Sequence, residues 1–175
     1  WALPVIFVVE NNGFADFIRT EDHLKIDKIS KRGAAYGMPG HTVDGNNVEE
    51  VYEISKEAII NAKNGNGPSL IECVTYRYRG HYEGDPQPYR TKDEVDKWKK
   101  RDPIKITEKL LLENKILNNE IIDSINSEIN VEIEDAVSFA KNSLEPKLEE
   151  SLKDIYTDVV ERDNSLWINF LMQKQ

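Results

Sequence analysis

The sequence has little that would support a disulfide framework, a membrane span or a nucleic-acid interface. Its 175 residues include one cysteine, Cys73, which excludes a disulfide framework or a cysteine-based zinc site and fits a reducing cytoplasm. The longest mostly apolar stretch, residues 3–9, is far shorter than the roughly 20 residues that cross a bilayer. The formal net charge is −9, with no basic stripe to offset it, so the chain repels nucleic-acid phosphates. We therefore expect a cytoplasmic protein that binds neither membranes nor nucleic acids.

Methionine is also scarce, and its only two occurrences are Met38 and Met172. Because the chain starts at Trp1, we expect it to be part of a longer protein. Its 39% apolar and 31% charged residues are ordinary for a globular protein with a buried core, which excludes the disordered and fibrous classes.

The first half of the chain has the pattern of an α/β protein. The β-branched run 3–9 predicts a strand covered on both faces, and Leu70–Tyr76 predicts a second buried strand in which Cys73 is a buried thiol. Between them, helical spacing at 25–36 and 48–62 flanks a short extended piece at 41–43. The helix at 48–62 begins with a capping box. This order predicts a parallel sheet flanked by helices.

The second half is predicted to be helical after one long loop at 77–90. Helices are predicted to begin at Thr91, at Asp102-Pro103 and near Asn118 or Asn119. We place a boundary near residue 90, between an α/β domain (1–90) and an α-helical extension (91–175). At the end of the extension, apolar residues at rough helical spacing indicate either a partner surface or core packing: Leu148, Leu152, Ile155 and Trp167.

Two polar loops follow the predicted strands, where ligands bind in parallel α/β sheets. The first is Glu10–Phe14, whose amide and backbone oxygens suit a magnesium ion that also holds a diphosphate, although Asn-Asn-Gly is also an ordinary turn. The second is Tyr76–Pro86, which carries two arginines, one histidine and two acids. Such a loop could bind an anion and move a proton, or could be a solvated salt-bridge loop.

Several runs, in unbroken order, resemble the α chain of thiamine-diphosphate-dependent 2-oxo acid dehydrogenases: 3–14, 32–40, 43–48, 67–72, 75–81 and 85–91. The loop Gly80–Gln87 is more similar to the acetoin dehydrogenase α chain than to the pyruvate enzyme, since Tyr82 and Gly84 replace serines that the pyruvate type usually has.

The resemblance implies the C-terminal part of a thiamine-diphosphate-binding fold, with thiamine diphosphate and Mg²⁺ as cofactors. It assigns Asn12 as the side-chain magnesium ligand and the Phe14 backbone carbonyl as another ligand. In the same cofactor-binding set, His81 would hydrogen-bond the diphosphate and act catalytically in acyl transfer, while Arg77 would order the loop. Three more residues would brace that loop: Asp85, Tyr89 and Arg90. The family's other magnesium ligand, an aspartate in a Gly-Asp-Gly motif, lies upstream of the matched residues.

The implied reaction cleaves acetoin to acetaldehyde and a hydroxyethyl-cofactor intermediate, and passes the acetyl group to lipoamide on an acyltransferase component. The family's second catalytic half lies on a β chain, so the resemblance implies an α2β2 partner arrangement and an inactive isolated fragment. Two alternatives remain open. One keeps the enzyme and changes the substrate to pyruvate or a branched-chain 2-oxo acid, and the other is a non-catalytic interaction module.

Overall fold

The computed structural model describes residues 1–148 and 150. The described residues divide into two compact units, the first at 1–121 and the second beginning at residue 122, and the predicted boundary near residue 90 lies within the first. The strands are β1 (Ile6–Asn11), β2 (Phe14–Ala15), β3 (Ile18–Arg19), β4 (Gly40–Asp44) and β5 (Ser69–Val74). The helices are α1 (Thr20–His23), α2 (Val48–Lys63), α3 (Lys92–Lys99), α4 (Pro103–Glu113) and α5 (Asn119–Asn142), with a 3₁₀ helix at Ile29–Tyr36.

The central sheet is parallel, as the order of elements predicts. Its strands run in the order β1-β5-β4, and a separate antiparallel pair joins β2 to β3. In the parallel sheet, Val74 at the end of β5 is in register with Asn11 of β1 and with Asp44 of β4. The carboxyl ends of all three strands therefore lie at one edge, and the loops that leave them begin side by side.

One face of β5 builds the core against α2. Ile71 and Cys73 pack with Ala58, and Val51 and Ile54 extend the cluster. Cys73 is buried, as predicted, and its burial raises the pKa of the thiol. Alternation along the strand sends Glu72 to the opposite face, away from this cluster.

The predicted helix starts are confirmed. The side chain of Asn47 accepts hydrogen bonds from two amides of the first turn of α2, and the Thr91 hydroxyl accepts one at the start of α3. Asp102 does the same for α4, which has proline at its beginning. The long loop at 77–90 contains neither helix nor strand.

Helix α3 is held by half-buried aromatic and charged contacts to Tyr76, which follows β5, and to Arg19 of β3. Tyr76 stacks on Trp98 with ring centroids 5.2 Å apart, and its hydroxyl donates to Glu94 at 2.9 Å. Arg19 donates to both carboxylate oxygens of Glu94, at 2.5 and 3.2 Å. These hydrogen bonds from Arg19 hold the pKa of Glu94 below its ordinary value.

Two details of the first half differ from the prediction. The helix predicted over 25–36 is a 3₁₀ helix that begins at Ile29, and a short hairpin, β2–β3, precedes it where none was predicted. The segment has tertiary contacts that the apolar spacing does not reveal: the Ser30 amide donates to Glu72 Oε2 at 3.0 Å, and a Cβ on Gly40 would lie only 2.0 Å from the Ser30 carbonyl oxygen. These contacts with β5 and β4 hold the segment against the sheet.

Strand β1 is also less covered than predicted. Phe7 is 48% exposed and Val8 is 59% exposed, and since their side chains point to opposite faces, the described residues leave both faces of β1 partly uncovered at this point. Among the described helices none is both long and apolar enough to cross a membrane. The predicted apolar stripe Leu148–Trp167 lies, apart from Leu148, outside the described residues.

Candidate functional site

The two loops singled out in the sequence meet at the carboxyl edge of the parallel sheet. A cleft of about 450 Å³ opens there, and Asn12 and Arg77 both line it, together with Glu10 and Thr75. The parallel register explains the meeting, because Asn11 and Val74 end their strands at the same level. Asn12 from the first loop and Arg77 from the second therefore line one cleft.

The turn after β1 is held by its own asparagine side chains. Asn11 Oδ1 accepts a hydrogen bond from the Gly13 amide at 3.2 Å, and Asn12 Oδ1 accepts one from the Phe14 amide at 3.1 Å. Gly13 has φ +83°, a conformation that glycine adopts without strain. Since a carbonyl oxygen has two lone pairs, Asn12 Oδ1 retains one for a further ligand.

Arg77 is fixed in position but not fully paired. Its Nη2 donates to the Asp16 carbonyl at 2.6 Å and lies 3.4 Å from the Tyr89 hydroxyl. Its Nε is the buried side-chain nitrogen that has no hydrogen-bond partner among the described residues. A buried unpaired N–H costs stability unless an acceptor reaches it, so the Arg77 Nε–H suits an anionic oxygen such as that of a phosphate.

His81 does not line this cleft, but it contacts Arg77, which does. Its Nδ1 lies 3.3 Å from Arg77 Nη1, and its Nε2 lies 3.2 Å from Asp16 Oδ1. A guanidinium only donates, so in the neutral ring Nδ1 accepts and Nε2–H donates to the carboxylate. The His81 side chain is 42% exposed, and Phe17 packs edge-on against it at 5.3 Å.

Asp85 holds the loop that carries His81. Its Oδ2 accepts from the His81 amide at 2.8 Å and from the Tyr89 hydroxyl at 2.6 Å, and its Oδ1 accepts from the Gln87 amide at 2.9 Å. Burial acts to raise the pKa of Asp85, but these hydrogen bonds outweigh it and lower the pKa. Arg90 donates to the carbonyls of Arg77 and Tyr78, which closes the other side of the loop.

The side chain of Phe14 connects the two loops. Its predicted role, as a backbone carbonyl ligand, did not involve the side chain. Its buried ring meets Tyr89 and Tyr76 edge-on at 5.4 and 5.8 Å. Three guanidinium groups lie 5.3–5.7 Å from the ring centre, those of Arg19, Arg77 and Arg90. The interleaved tyrosines and arginines of 76–90 are the sequence signal for such a cluster.

Glu72 is a second residue that sequence reasoning missed. It is 1% exposed, and its carboxylate accepts hydrogen bonds from Asn11, Ser30 and Thr42. Burial acts to raise the pKa of Glu72, but the hydrogen bonds outweigh it and hold the pKa below its ordinary value. The sequence does contain a sign of this residue, because Glu72 is the single acid within the apolar run 70–74.

The donor set fits part of a magnesium site rather than a whole one. Within the part of the chain that the structure describes, no three His, Cys, Asp or Glu side chains come together as metal ligands. The Asn12 amide oxygen and the Phe14 carbonyl are hard oxygen ligands, and Mg²⁺ commonly keeps several waters and binds phosphate oxygens beside a few protein ligands. These residues therefore suit a magnesium ion that arrives with a diphosphate.

Comparison with known proteins gives an independent result. A family model described as "dehydrogenase E1 component" matches residues 1–149. The chain is 46% identical over 157 residues to the α subunit of acetoin:2,6-dichlorophenolindophenol oxidoreductase from Bacillus subtilis (strain 168). That match covers 89% of this chain and 46% of the relative.

Other relatives are named as subunits of a different enzyme. The chain is 39% identical over 158 residues to the pyruvate dehydrogenase E1 component subunit alpha of Porphyra purpurea, covering 90% of this chain and 46% of that protein. It is 42% identical over 162 residues to the chloroplastic subunit alpha-3 of Arabidopsis thaliana, covering 90% and 37%. The chain therefore spans less than half the length of these relatives.

Proposed function

This chain belongs to the dehydrogenase E1 component family, and on that premise we propose that it is the α chain of a thiamine-diphosphate-dependent first component. In this proposal it contributes the half of the site that holds magnesium and the cofactor diphosphate. Two observations carry the proposal: Asn12 and Arg77 line one cleft, and the buried Arg77 Nε has no hydrogen-bond partner among the described residues.

Each residue has a defined task in this proposal. Asn12 Oδ1 and the Phe14 carbonyl bind the magnesium ion, and Arg77 donates to an anionic oxygen of the diphosphate. His81, oriented by Arg77 and Asp16, donates or accepts a proton near the diphosphate and acts in acyl transfer. Asp85, Tyr89 and Arg90 hold the loop in place through hydrogen bonds within it. When bound, thiamine diphosphate supplies the nucleophilic carbon that attacks the substrate carbonyl.

We propose acetoin as the substrate, with a lipoyl-bearing acyltransferase as the acetyl acceptor. Two observations support acetoin: Tyr82 and Gly84 in the His81 loop, and the 46% identity to the α subunit of the acetoin oxidoreductase. The alternative substrate is pyruvate, which the names of two other relatives favour. Because relatives of both kinds are named as α subunits, the proposed partner is a β chain in an α2β2 assembly.

The test is calorimetric titration of thiamine diphosphate, with and without Mg²⁺, into the protein assembled with its β chain. We expect magnesium-dependent binding that Asn12→Ala abolishes, whereas Asn66→Ala, in the exposed turn after α2, leaves it unchanged. Arg77→Ala should weaken binding by about tenfold or more, the value of a charge-assisted hydrogen bond. Arg79, an exposed arginine two residues away, provides the matched Arg79→Ala control.

Absence of magnesium-dependent binding in the assembled wild type would reject the enzyme proposal and favour the interaction module. If binding is found, turnover of acetoin and of pyruvate by the loaded assembly identifies the substrate. Equal binding by Asn12→Ala and wild type would reject the metal assignment alone.

A further inference from the structure

The buried carboxylate of Glu72 lies between the two outer strands of the parallel sheet. Glu72 belongs to the central strand β5, and its Oε1 accepts from Asn11 Nδ2 of β1 at 2.8 Å. Its Oε2 accepts from the Ser30 amide at 3.0 Å and from Thr42 Oγ1 of β4 at 2.9 Å. Among the described residues no cation forms an ion pair with it, and its hydrogen-bonding partners, which include the backbone of Ile29, are neutral.

Such a group is costly as a purely structural element. A buried charge without a counter-ion loses hydration that neutral donors only partly replace. A neutral side chain of similar size in this position would avoid that cost. What a carboxylate offers, and an amide does not, is two oxygens that only accept hydrogen bonds.

That property determines which way the Asn11 side chain points. Because the carboxylate only accepts, Asn11 must turn its NH₂ towards Glu72 and its oxygen away from it. The oxygen then accepts from the Gly13 amide at 3.2 Å and lies 3.5 Å from Thr20 Oγ1. With the amide reversed, the Asn11 oxygen would face a carboxylate oxygen and its NH₂ would face the N–H of Gly13.

The orientation of Asn11 in turn fixes the backbone that presents the next two residues. The Gly13 amide is held by Asn11, and the Phe14 amide is held by Asn12 Oδ1 at 3.1 Å. These consecutive side-chain turns set both the Asn12 amide oxygen and the Phe14 peptide group. The chain of contacts thus runs from a buried acid to the two groups assigned to magnesium.

We propose that Glu72 is a positioning residue for the magnesium site, which it arranges by fixing the orientation of Asn11 and hence the Asn12–Phe14 turn. This inference rests on the proposed function for the identity of the ion, while the arrangement of the turn can be measured without it.

The first variant is Glu72→Gln, which keeps the shape and replaces one oxygen with a donor. The single remaining oxygen should stay with the Ser30 amide and Thr42, because these two donors would otherwise both lose their acceptor. The new NH₂ then faces Asn11, whose amide reverses, and the Gly13 contact is lost. The matched control is Thr42→Val, which removes a hydrogen bond from the same carboxylate and leaves the Asn11 contact intact.

Two measurements are made on the protein assembled with its β chain. In magnesium-dependent thiamine diphosphate titrations, we expect Glu72→Gln to raise Kd by about 10- to 100-fold, as is usual when a group behind a metal ligand is changed. Thr42→Val should leave Kd within about twofold even where it lowers the melting temperature. In the cofactor-free assembly, hydrogen exchange at 11–14 should be faster in Glu72→Gln than in wild type or Thr42→Val.

A double-mutant cycle separates positioning from general loss of stability. Asn11→Ala should raise Kd as much as Glu72→Gln does, and the double variant should lose no more than either single variant, because both act on one turn. Additive losses, or equal losses in Thr42→Val and Glu72→Gln, would overturn the inference.

If Glu72→Gln does not fold, the inference is tested by comparing Asn11→Ala with Thr42→Val. Equal Kd values for those two variants would also overturn the inference. If the wild type binds no cofactor, the proposed function fails. Unchanged exchange at 11–14 in the variants would reject the positioning role separately.

Discussion

Asn46 joins three segments of the first compact unit, and its removal tests how that unit is held together. It follows β4, and its side chain is 1% exposed. Asn46 Nδ2 donates to the Arg101 carbonyl at 2.8 Å, and its Oδ1 accepts from the Thr75 hydroxyl at 2.7 Å. Thus Asn46 connects the end of the sheet to the α3–α4 junction.

The cost of Asn46→Ala follows from these two contacts. Each neutral hydrogen bond contributes about 1 kcal/mol, and a buried group left without its partner costs about 1–3 kcal/mol. We therefore expect the free energy of unfolding to fall by about 3 kcal/mol. For a chain of this size, that corresponds to a melting temperature lowered by roughly 6–12 °C.

The neighbouring Asn47 offers a matched control with the same side chain. It caps α2 on the protein surface, and Asn47→Ala should cost about 1 kcal/mol. Both variants are compared with wild type by thermal unfolding at neutral pH, followed by circular dichroism. If Asn46→Ala lowers the melting temperature no more than Asn47→Ala, the buried network does not hold the unit together and the reasoning is refuted.

Three further predictions concern the close packing of Gly40 against the backbone, the Cys73 thiol and the Glu94 carboxylate. Gly40→Ala would place a Cβ 2.0 Å from the Ser30 carbonyl oxygen, so we expect little soluble protein. Gly65 has φ +76° and open space around it, so Gly65→Ala should lower the free energy of unfolding by only about 1–2 kcal/mol. Expression level and melting temperature distinguish the two variants. Cys73 is buried with a raised pKa, so iodoacetamide at neutral pH should label it only after denaturation, and fast labelling of the native protein would contradict its burial. Hydrogen bonds from Arg19 lower the pKa of Glu94 from its ordinary 4.5, so the stabilisation is present above that value and is lost as the pH falls through the folded pKa. Glu94→Gln should therefore flatten the fall in melting temperature on acidification below about pH 5, and an unchanged slope would contradict the assignment.

The parallel sheet and the meeting of its two loops could be predicted from sequence, because both follow from rules that need no partner information. A β-branched run predicts a strand, and consecutive parallel strands end at one edge. Asn12 and Arg77 therefore come to one cleft because each follows such a strand within a few residues. The starts of the helices could also be predicted, since an N-cap side chain bonds to backbone amides of the helix's own first turn.

Features set by tertiary contacts could not be predicted in the same way. The β2–β3 hairpin has two residues in each strand, too few to show a period. The 3₁₀ helix at 29–36 is held against the sheet by the Ser30 amide, which donates to Glu72, 42 residues away. The exposure of Phe7 and Val8 could not be predicted either. A β-branched run predicts a strand with apolar side chains, but it does not show which other elements cover them.

The polar contacts of Glu72 show where the limit lies. Its donors come from Asn11, Ser30 and Thr42, which lie 61, 42 and 30 residues before it in the chain. No local pattern connects such positions, so sequence can flag the acid in the apolar run 70–74 but cannot name its partners. Buried polar groups must nevertheless be hydrogen-bonded. An acid in a central strand therefore predicts that hydrogen-bond donors surround it. Here one of those donors is Asn11, which also holds the turn that carries Asn12.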